Sequence, residues 1–246
     1  MEQLKAIILA AGKGTRMKSE LPKVVHRIDG QCLVDYVIDA AKGAGAKDIC
    51  LVVGYKHEVV EAEISHQDVQ YALQTEQLGT GHAVKCASDF IGTEGDVVVL
   101  CGDTPLVTGK TLEQAIKKHV AAGNGVTVIS AMLSDPFGYG RIIRDEKGLS
   151  KIVEQKDATE EEQAVREVNS GMYIFNSEAL SASLDLLSND NAAGEYYLTD
   201  TIALIKKIGL KVSALPLTGD ACDEIRGVNT IDQLEEAEQI MCHRED

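Results

Sequence analysis

Short runs of β-branched and other apolar residues alternate along the chain with stretches whose apolar positions recur every three or four residues. The runs Lys5–Leu9, Ile49–Val53, Val69–Leu73, Asp96–Cys101, Val126–Met132, Met172–Phe175 and Val212–Leu215 predict strands. Between and after them, Cys32–Ala44, Gly81–Ile91, Thr108–Ala121, Glu178–Leu187, Leu198–Ile208 and Ile231–Cys242 predict helices. In the first helix Leu33, Val34, Val37, Ile38 and Ala41 make one apolar stripe. The last opens with Thr230 and Gln233 in capping-box spacing. Strand and helix in alternation predict an α/β protein built of parallel βαβ units, with helices on both faces of an open sheet. Extra extended pieces at Gly140–Ile143 and Lys151–Val153 make the sheet mixed in the second half.

The chain has 246 residues and a formal net charge of −15. Nucleic-acid binding depends on clustered Lys and Arg neutralising phosphates, so the charge argues against DNA or RNA as a partner. It argues equally against an anionic membrane surface. The apolar run near the start, Ala6–Ala11, is too short for a signal peptide, and no later run nears a membrane span. Six cysteines are scattered without CxxC spacing, several of them inside apolar runs, which predicts a reduced cytoplasmic protein rather than a metal or disulfide framework.

In open α/β sheets, ligands bind beyond the carboxyl ends of the strands. The loop after the first strand reads LAAGKGTRMKSELPK over residues 9–23. It lacks the third glycine of a dinucleotide fingerprint, whose position holds Met17, and it is not a P-loop. Between Gly12 and Arg27, however, lie Lys13, Arg16, Lys18, Lys23 and Arg27 against the single acid Glu20, within an acidic chain. Two glycines and clustered positive charge predict the docking of a small polyanion. A second loop, Gly102-Asp103-Thr104-Pro105, follows the fourth strand. Its aspartate is either a turn cap or a ligand for a hard cation.

The segment L-A-A-G-x-G-T-R-M followed by L-P-K resembles the signature of the nucleoside-diphosphate-sugar pyrophosphorylases. The likeness extends in order through QTEQLGTGHA at 74–83, CGDTPL at 101–106, FGYGRI at 137–142, IVEQKDAT at 152–159, VNSG at 168–171, NDNAAGEYYLTD at 189–200 and GVN at 227–229. It is strongest to the uridyltransferase half of the bifunctional bacterial enzymes that make UDP-N-acetylglucosamine, a cell-wall peptidoglycan precursor. The resemblance implies a Rossmann-like three-layer α/β/α fold, the nucleotide-diphospho-sugar transferase fold. It implies a nucleotide-binding half over residues 1–105, a sugar-binding half over 106–229 and a C-terminal helix over 230–246. The reaction implied is UTP plus N-acetylglucosamine 1-phosphate giving UDP-N-acetylglucosamine and pyrophosphate.

By the same resemblance Leu9, Ala10, Ala11 and Gly12 offer backbone to the triphosphate, and Arg16 and Lys23 face its phosphates. Gln74, Gln77, Gly79 and Thr80 read the base. Asp103 and Asn229 are ligands for Mg²⁺. Gly140, Glu154 and Asn169 bind the hexose and its acetamido group. His82, Tyr139, Lys156, Tyr196 and Tyr197 lie in matched motifs without an assigned role, and the acidic run Glu160-Glu161-Glu162 reads as a solvated helix face.

The attacking phosphate oxygen is already ionised at neutral pH, so the chemistry needs positioning and charge neutralisation rather than a general base. Two other readings stay open: the same chemistry with another base or sugar, such as a glucose 1-phosphate uridylyltransferase, and a sugar-nucleotide-binding module without turnover. The hexapeptide repeats that carry acetyl transfer in the bifunctional enzymes are absent from this sequence, so acetyl transfer is not expected, and oligomeric state stays open.

Overall fold

The computed structural model describes residues 4–245. The chain begins with β1 (Leu4–Ala10), a small hairpin of β2 (Arg27–Ile28) and β3 (Gln31–Cys32), then α1 (Leu33–Gly43) and β4 (Asp48–Val53). It continues through α2 (His57–Glu63), β5 (Gln70–Leu73), α3 (Thr80–Cys86), α4 (Ser88–Ile91) and β6 (Asp96–Cys101). The second half holds α5 (Gly109–Ala122), β7 (Asn124–Met132), β8 (Arg141–Asp145), β9 (Gly148–Val153) and α6 (Glu160–Gln163). It closes with β10 (Glu167–Asn176), α7 (Ser177–Leu184), α8 (Asp200–Lys207), β11 (Lys211–Leu217) and α9 (Ile231–Glu245).

The main sheet runs β11-β7-β10-β6-β1-β4-β5, with β8 paired to β10 and β9 to β8. Along that path only β10 opposes its neighbours; the remaining pairings are parallel. The mixed, mostly parallel α/β sheet is thus the one the residue pattern predicts. Its central strands are buried on both faces, as their continuous apolar runs require. The stripe on α1 is buried throughout. Each such side chain contributes about 1.5–3 kcal/mol on burial, which fixes the helix's rotation against the sheet.

Three local outcomes differ from the pattern. The short α2 is a helix the pattern did not indicate; with only Val60 buried in seven residues, it carries too little periodicity. The stretch 81–91 divides at Ala87, which leaves helical geometry while keeping Ile91 in the core. The strand read as Met172–Phe175 extends to ten residues, because a bulge hides its alternation.

That bulge bears on the site. Against β7 the register moves from Asn169↔Ser130 to Tyr173↔Val128, so four steps on β10 span two on its partner. Gly171 sits in the bulge with φ +79°, and a Cβ there would come within 2.8 Å of Cys101 Sγ. Ser170 Oγ donates to Ile129 O at 2.6 Å and receives Met172 N at 3.0 Å, satisfying backbone groups the bulge frees. Strand order reverses at β1, with β4 on one side and β6 on the other, so the loops after β1 and β6 open into one crevice.

A left-handed backbone and a close contact together make Gly171→Ala costly, by about 2–4 kcal/mol. Urea denaturation should show a matching fall in midpoint at unchanged slope; a loss below about 0.5 kcal/mol would show that the bulge tolerates a side chain.

Candidate active site

Three remote segments meet on one ammonium group. Lys23, in a 3₁₀ turn after the first loop, forms an ion pair with Asp103 Oδ2 and also donates to Asn229 Oδ1 at 2.8 Å. Arg16 Nη2 donates to the same Asn229 Oδ1 at 2.8 Å. The sequence explains each approach. Gly14 has φ +65°, and its missing side chain lets Lys23 pass, since a Cβ there would lie 2.6 Å from Lys23 Cβ. Asp103 follows the buried β6, with Gly102 N tied to Leu9 O at 2.9 Å across the strand ends. Val228 N donates to Asp103 O at 2.8 Å and brings Asn229 alongside. Thr230 caps α9 by receiving Gln233 N at 3.2 Å. Gln233 Oε1 then accepts from Asn229 N at 2.8 Å instead of from the cap residue, so the cap also orients Asn229.

Not every basic residue of the first loop joins this cluster. Lys13 lies over the Tyr55 ring at 5.5 Å, and Arg27 pairs with Glu63 at 2.5 Å. Cys101, beside the pair, has its thiol pushed up to about 12 by burial and then by the Asp103 charge, so it adds no charge of its own. Among the described residues, no group of three or more His, Cys, Asp or Glu side chains could hold a metal.

A cleft of about 220 Å³ lies next to the cluster, lined by Leu9, Ala11, Gly12, Gln74, Gln77, Gly79, Thr80, Ala83 and Glu195. Ala10 is turned away into the core. Gln74 is buried, and its Nε2 donates to Gly79 O at 3.2 Å. The loop around Tyr196 braces this segment: Gly81 N donates to Tyr196 O and Tyr196 N to Leu78 O, both at 2.8 Å. Leu198 N donates to Thr80 Oγ1 at 3.1 Å.

That same loop reaches the third group. Thr199 Oγ1 donates to Glu154 Oε1 at 3.0 Å. Glu154 lies beside Gly140, whose absent Cβ would sit 3.5 Å from both Glu154 Oε1 and Asn169 Cβ, and Asn169 N donates to Gly140 O at 2.9 Å. Burial holds the Glu154 carboxyl above the usual carboxylate range, with Asp200, Asp157 and Glu195 adding to the rise. The buried Arg141 fixes the turn before it, donating to Tyr139 O and, at 2.8 Å, to Gln155 Oε1. Tyr197 donates to Asp157 Oδ2 at 3.3 Å, and Lys156 is exposed. Thr199 and Tyr173, which shares a hydrogen bond with Asn169, were not singled out in the sequence. Thr199 sits inside a matched motif, which was a usable signal; Tyr173 sits in an ordinary apolar strand and gave none.

A family model described as nucleotidyl transferase matches residues 5–219. The bifunctional protein GlmU of Caldanaerobacter subterraneus subsp. tengcongensis is 51% identical over 245 residues, covering 99% of this chain and 53% of that protein. The bifunctional protein GlmU of Clostridioides difficile is 50% identical over 241 residues, covering 98% of this chain and 52% of that one. The chain spans about half the length of these curated relatives. A crystal structure of a candidate glucose-1-phosphate thymidylyltransferase from Bacillus anthracis shares the fold. Its TM-score is 0.75 at 21% identity, covering 96% of this chain and 94% of that one. No helix among the described residues is long and apolar enough to cross a membrane.

The raised Glu154 carboxyl has a stability consequence. Its folded state binds a proton more tightly than the unfolded chain, so wild-type stability is lost as pH rises from the ordinary 4.5 through the raised value. Glu154→Gln should raise Tm at neutral pH, and the gain should shrink as pH falls toward 4.5. A pH-independent difference in thermal scans would contradict this.

Proposed function

Starting from a chain that belongs to the nucleotidyl transferase family, we propose that it transfers uridylyl from UTP to N-acetylglucosamine 1-phosphate and releases pyrophosphate. The observation that carries this reading is the convergence of Lys23, Arg16, Asp103 and Asn229 beside the cleft lined by Gln74 and Gly79. In this reading residues 1–105 hold the nucleotide, residues 106–229 hold the sugar phosphate, and the helix from 230 seats Asn229.

Two anions must meet for the reaction, and Arg16 and Lys23 supply positive charge where they do. Lys23 neutralises the α-phosphate as it is attacked, and Arg16 faces the leaving phosphates. The nucleophilic phosphate oxygen is already ionised, so these residues position and neutralise without taking a proton. Leu9, Ala11 and Gly12 present backbone to the nucleotide, while Gln74, Gln77, Gly79 and Thr80 hold the base. Glu154 accepts sugar hydroxyls, and Asn169 with Gly140 frames the acetamido group.

Asp103 Oδ2 and Asn229 Oδ1 are hard oxygens already directed at one cation, the Lys23 ammonium. That donor set suits Mg²⁺, which takes few protein ligands and completes its shell with waters and phosphate oxygens. Bound there, Mg²⁺ would supply Lewis-acid stabilisation of charge on the departing pyrophosphate. The product would serve cell-wall peptidoglycan synthesis, and the reaction would run in the cytoplasm.

Pyrophosphate release with Mg²⁺ tests the reading. UTP with N-acetylglucosamine 1-phosphate should outrun dTTP and glucose 1-phosphate; turnover that favours another pair would keep the chemistry and overturn the substrate. Asp103→Ala should lower kcat at least about a hundredfold, or about 2.7 kcal/mol of transition-state stabilisation. Near-wild-type turnover by that variant at saturating Mg²⁺ would remove Asp103 from the mechanism.

A further inference from the structure

His82 belongs to the same segment as the base-cleft residues but does not line the cleft. It touches Gln74 from behind: Gln74 Nε2 lies 3.0 Å from His82 Nδ1 and 3.2 Å from Gly79 O. A backbone carbonyl only accepts, so the amide atom facing Gly79 O must be the NH₂ group. One of its hydrogens goes to Gly79 O and the other to His82 Nδ1. That ring nitrogen must then be the acceptor, which puts the imidazole proton on Nε2, 4.0 Å from Cys86 Sγ. The Tyr196 ring, with centroids 6.4 Å apart, flanks the imidazole on another side.

With both amide hydrogens committed, Gln74 has only Oε1 left to offer a base. An acceptor at that point favours a ring edge bearing an N–H, as uracil does at N3, over cytosine, whose N3 is itself an acceptor. The geometry points to His82 as a positioning residue that locks the Gln74 carboxamide with its oxygen toward the base, and so sets the preference for UTP over CTP. This rests on the uridylyl reading above. Without an acceptor at Nδ1, only Gly79 O at 3.2 Å still holds the NH₂ group, and the amide turns more readily to present it to the base instead.

Substituting His82→Leu removes the acceptor, and His82→Asn restores one at the δ1 position. In pyrophosphate-release kinetics, His82→Leu should lower the UTP-over-CTP ratio of kcat/KM about tenfold or more. The change should fall on KM, with kcat for UTP within about twofold, because the residue acts on binding rather than on the reacting phosphate. His82→Asn should recover most of the ratio. A residue serving only the fold would lower activity with both nucleotides alike and leave the ratio unchanged, and that result overturns the proposal. In the unmutated protein at about pH 8, ¹⁵N NMR should find the His82 ring protonated at Nε2 and bare at Nδ1. A ring protonated at Nδ1 overturns it even if the leucine variant fails to fold. Wild-type turnover no faster with UTP than with CTP would instead overturn the uridylyl reading, leaving the NMR result to decide the hydrogen-bond assignment.

Discussion

One ammonium group, shared between Asp103 and Asn229, holds together segments 80 and 206 residues away from it in sequence. The side chains of Lys23 and Asp103 are 16% and 19% exposed, so each charge is largely withdrawn from water. Desolvating either alone would cost several kcal/mol, and only their mutual attraction and the added amide oxygen offset it. The requirement is reciprocal: the loop after β1, the turn after β6 and the approach to α9 must all be in place for any one of them to be tolerable. Val228 N on Asp103 O supplies the neutral part of that coupling. The interaction assembles a charge cluster at the crevice mouth and keeps it neutralised from within.

The sheet makes this meeting possible. Reversal of strand order at β1 opens the β1 and β6 loops side by side, and the one antiparallel strand of the main path, β10, lies directly against β6. Because β10 runs the other way, it begins rather than ends near the crevice, and its bulge sits there. Asn169 and Gly171 therefore reach the same region as Asp103 although they enter it from the opposite chain direction. The segment from Tyr196 to Thr199 completes the connection, bracing the base cleft through Gly81 and Leu78 and reaching Glu154 through Thr199. The Gln74–Thr80 segment and Glu154 are thus joined outside the charge cluster by one loop.

Much of this was legible in the sequence, for physical reasons that differ by element. Long buried strands such as Val97–Leu100 and the stripe on α1 announce themselves because burial leaves no choice of residue type. The first loop could be recognised by its charge, since five basic residues in an acidic chain are improbable without an anion. What charge counting could not do was separate Arg16 and Lys23 from Lys13 and Arg27, which spend their charge on Tyr55 and Glu63. That division depends on side chains arriving from other segments. Thr199 escaped for the same reason, because its partner Glu154 lies 45 residues away; Tyr173 and the back of Gln74 have partners close in sequence, Asn169 and His82, but only the folded backbone turns them together. The bulge in β10 escaped because its residues, Asn169-Ser170-Gly171, are of the types that mark a turn rather than a strand.

Two carboxylates in the second half of the chain meet burial in opposite ways. Glu167 is buried, yet its carboxyl lies below the usual range: Arg144 donates to both its oxygens at 2.7 Å and Ser130 to one. Glu154 is desolvated too, but with one hydroxyl donor, from Thr199, and with neighbours of its own sign in Asp200, Asp157 and Glu195. A carboxylate kept for stability is given its cation, because an unpaired buried charge is destabilising. Glu154 is left short of donors, and the fold tolerates the cost. The missing donors are what the sugar phosphate of the proposed reaction would bring, so Glu154 would be satisfied when it enters. The same logic governs Gln74, whose amide hydrogens are fully spent and whose oxygen is held in reserve. In the proposed reaction, selectivity would then come from leaving one hydrogen-bonding group in each half to be completed by the ligand.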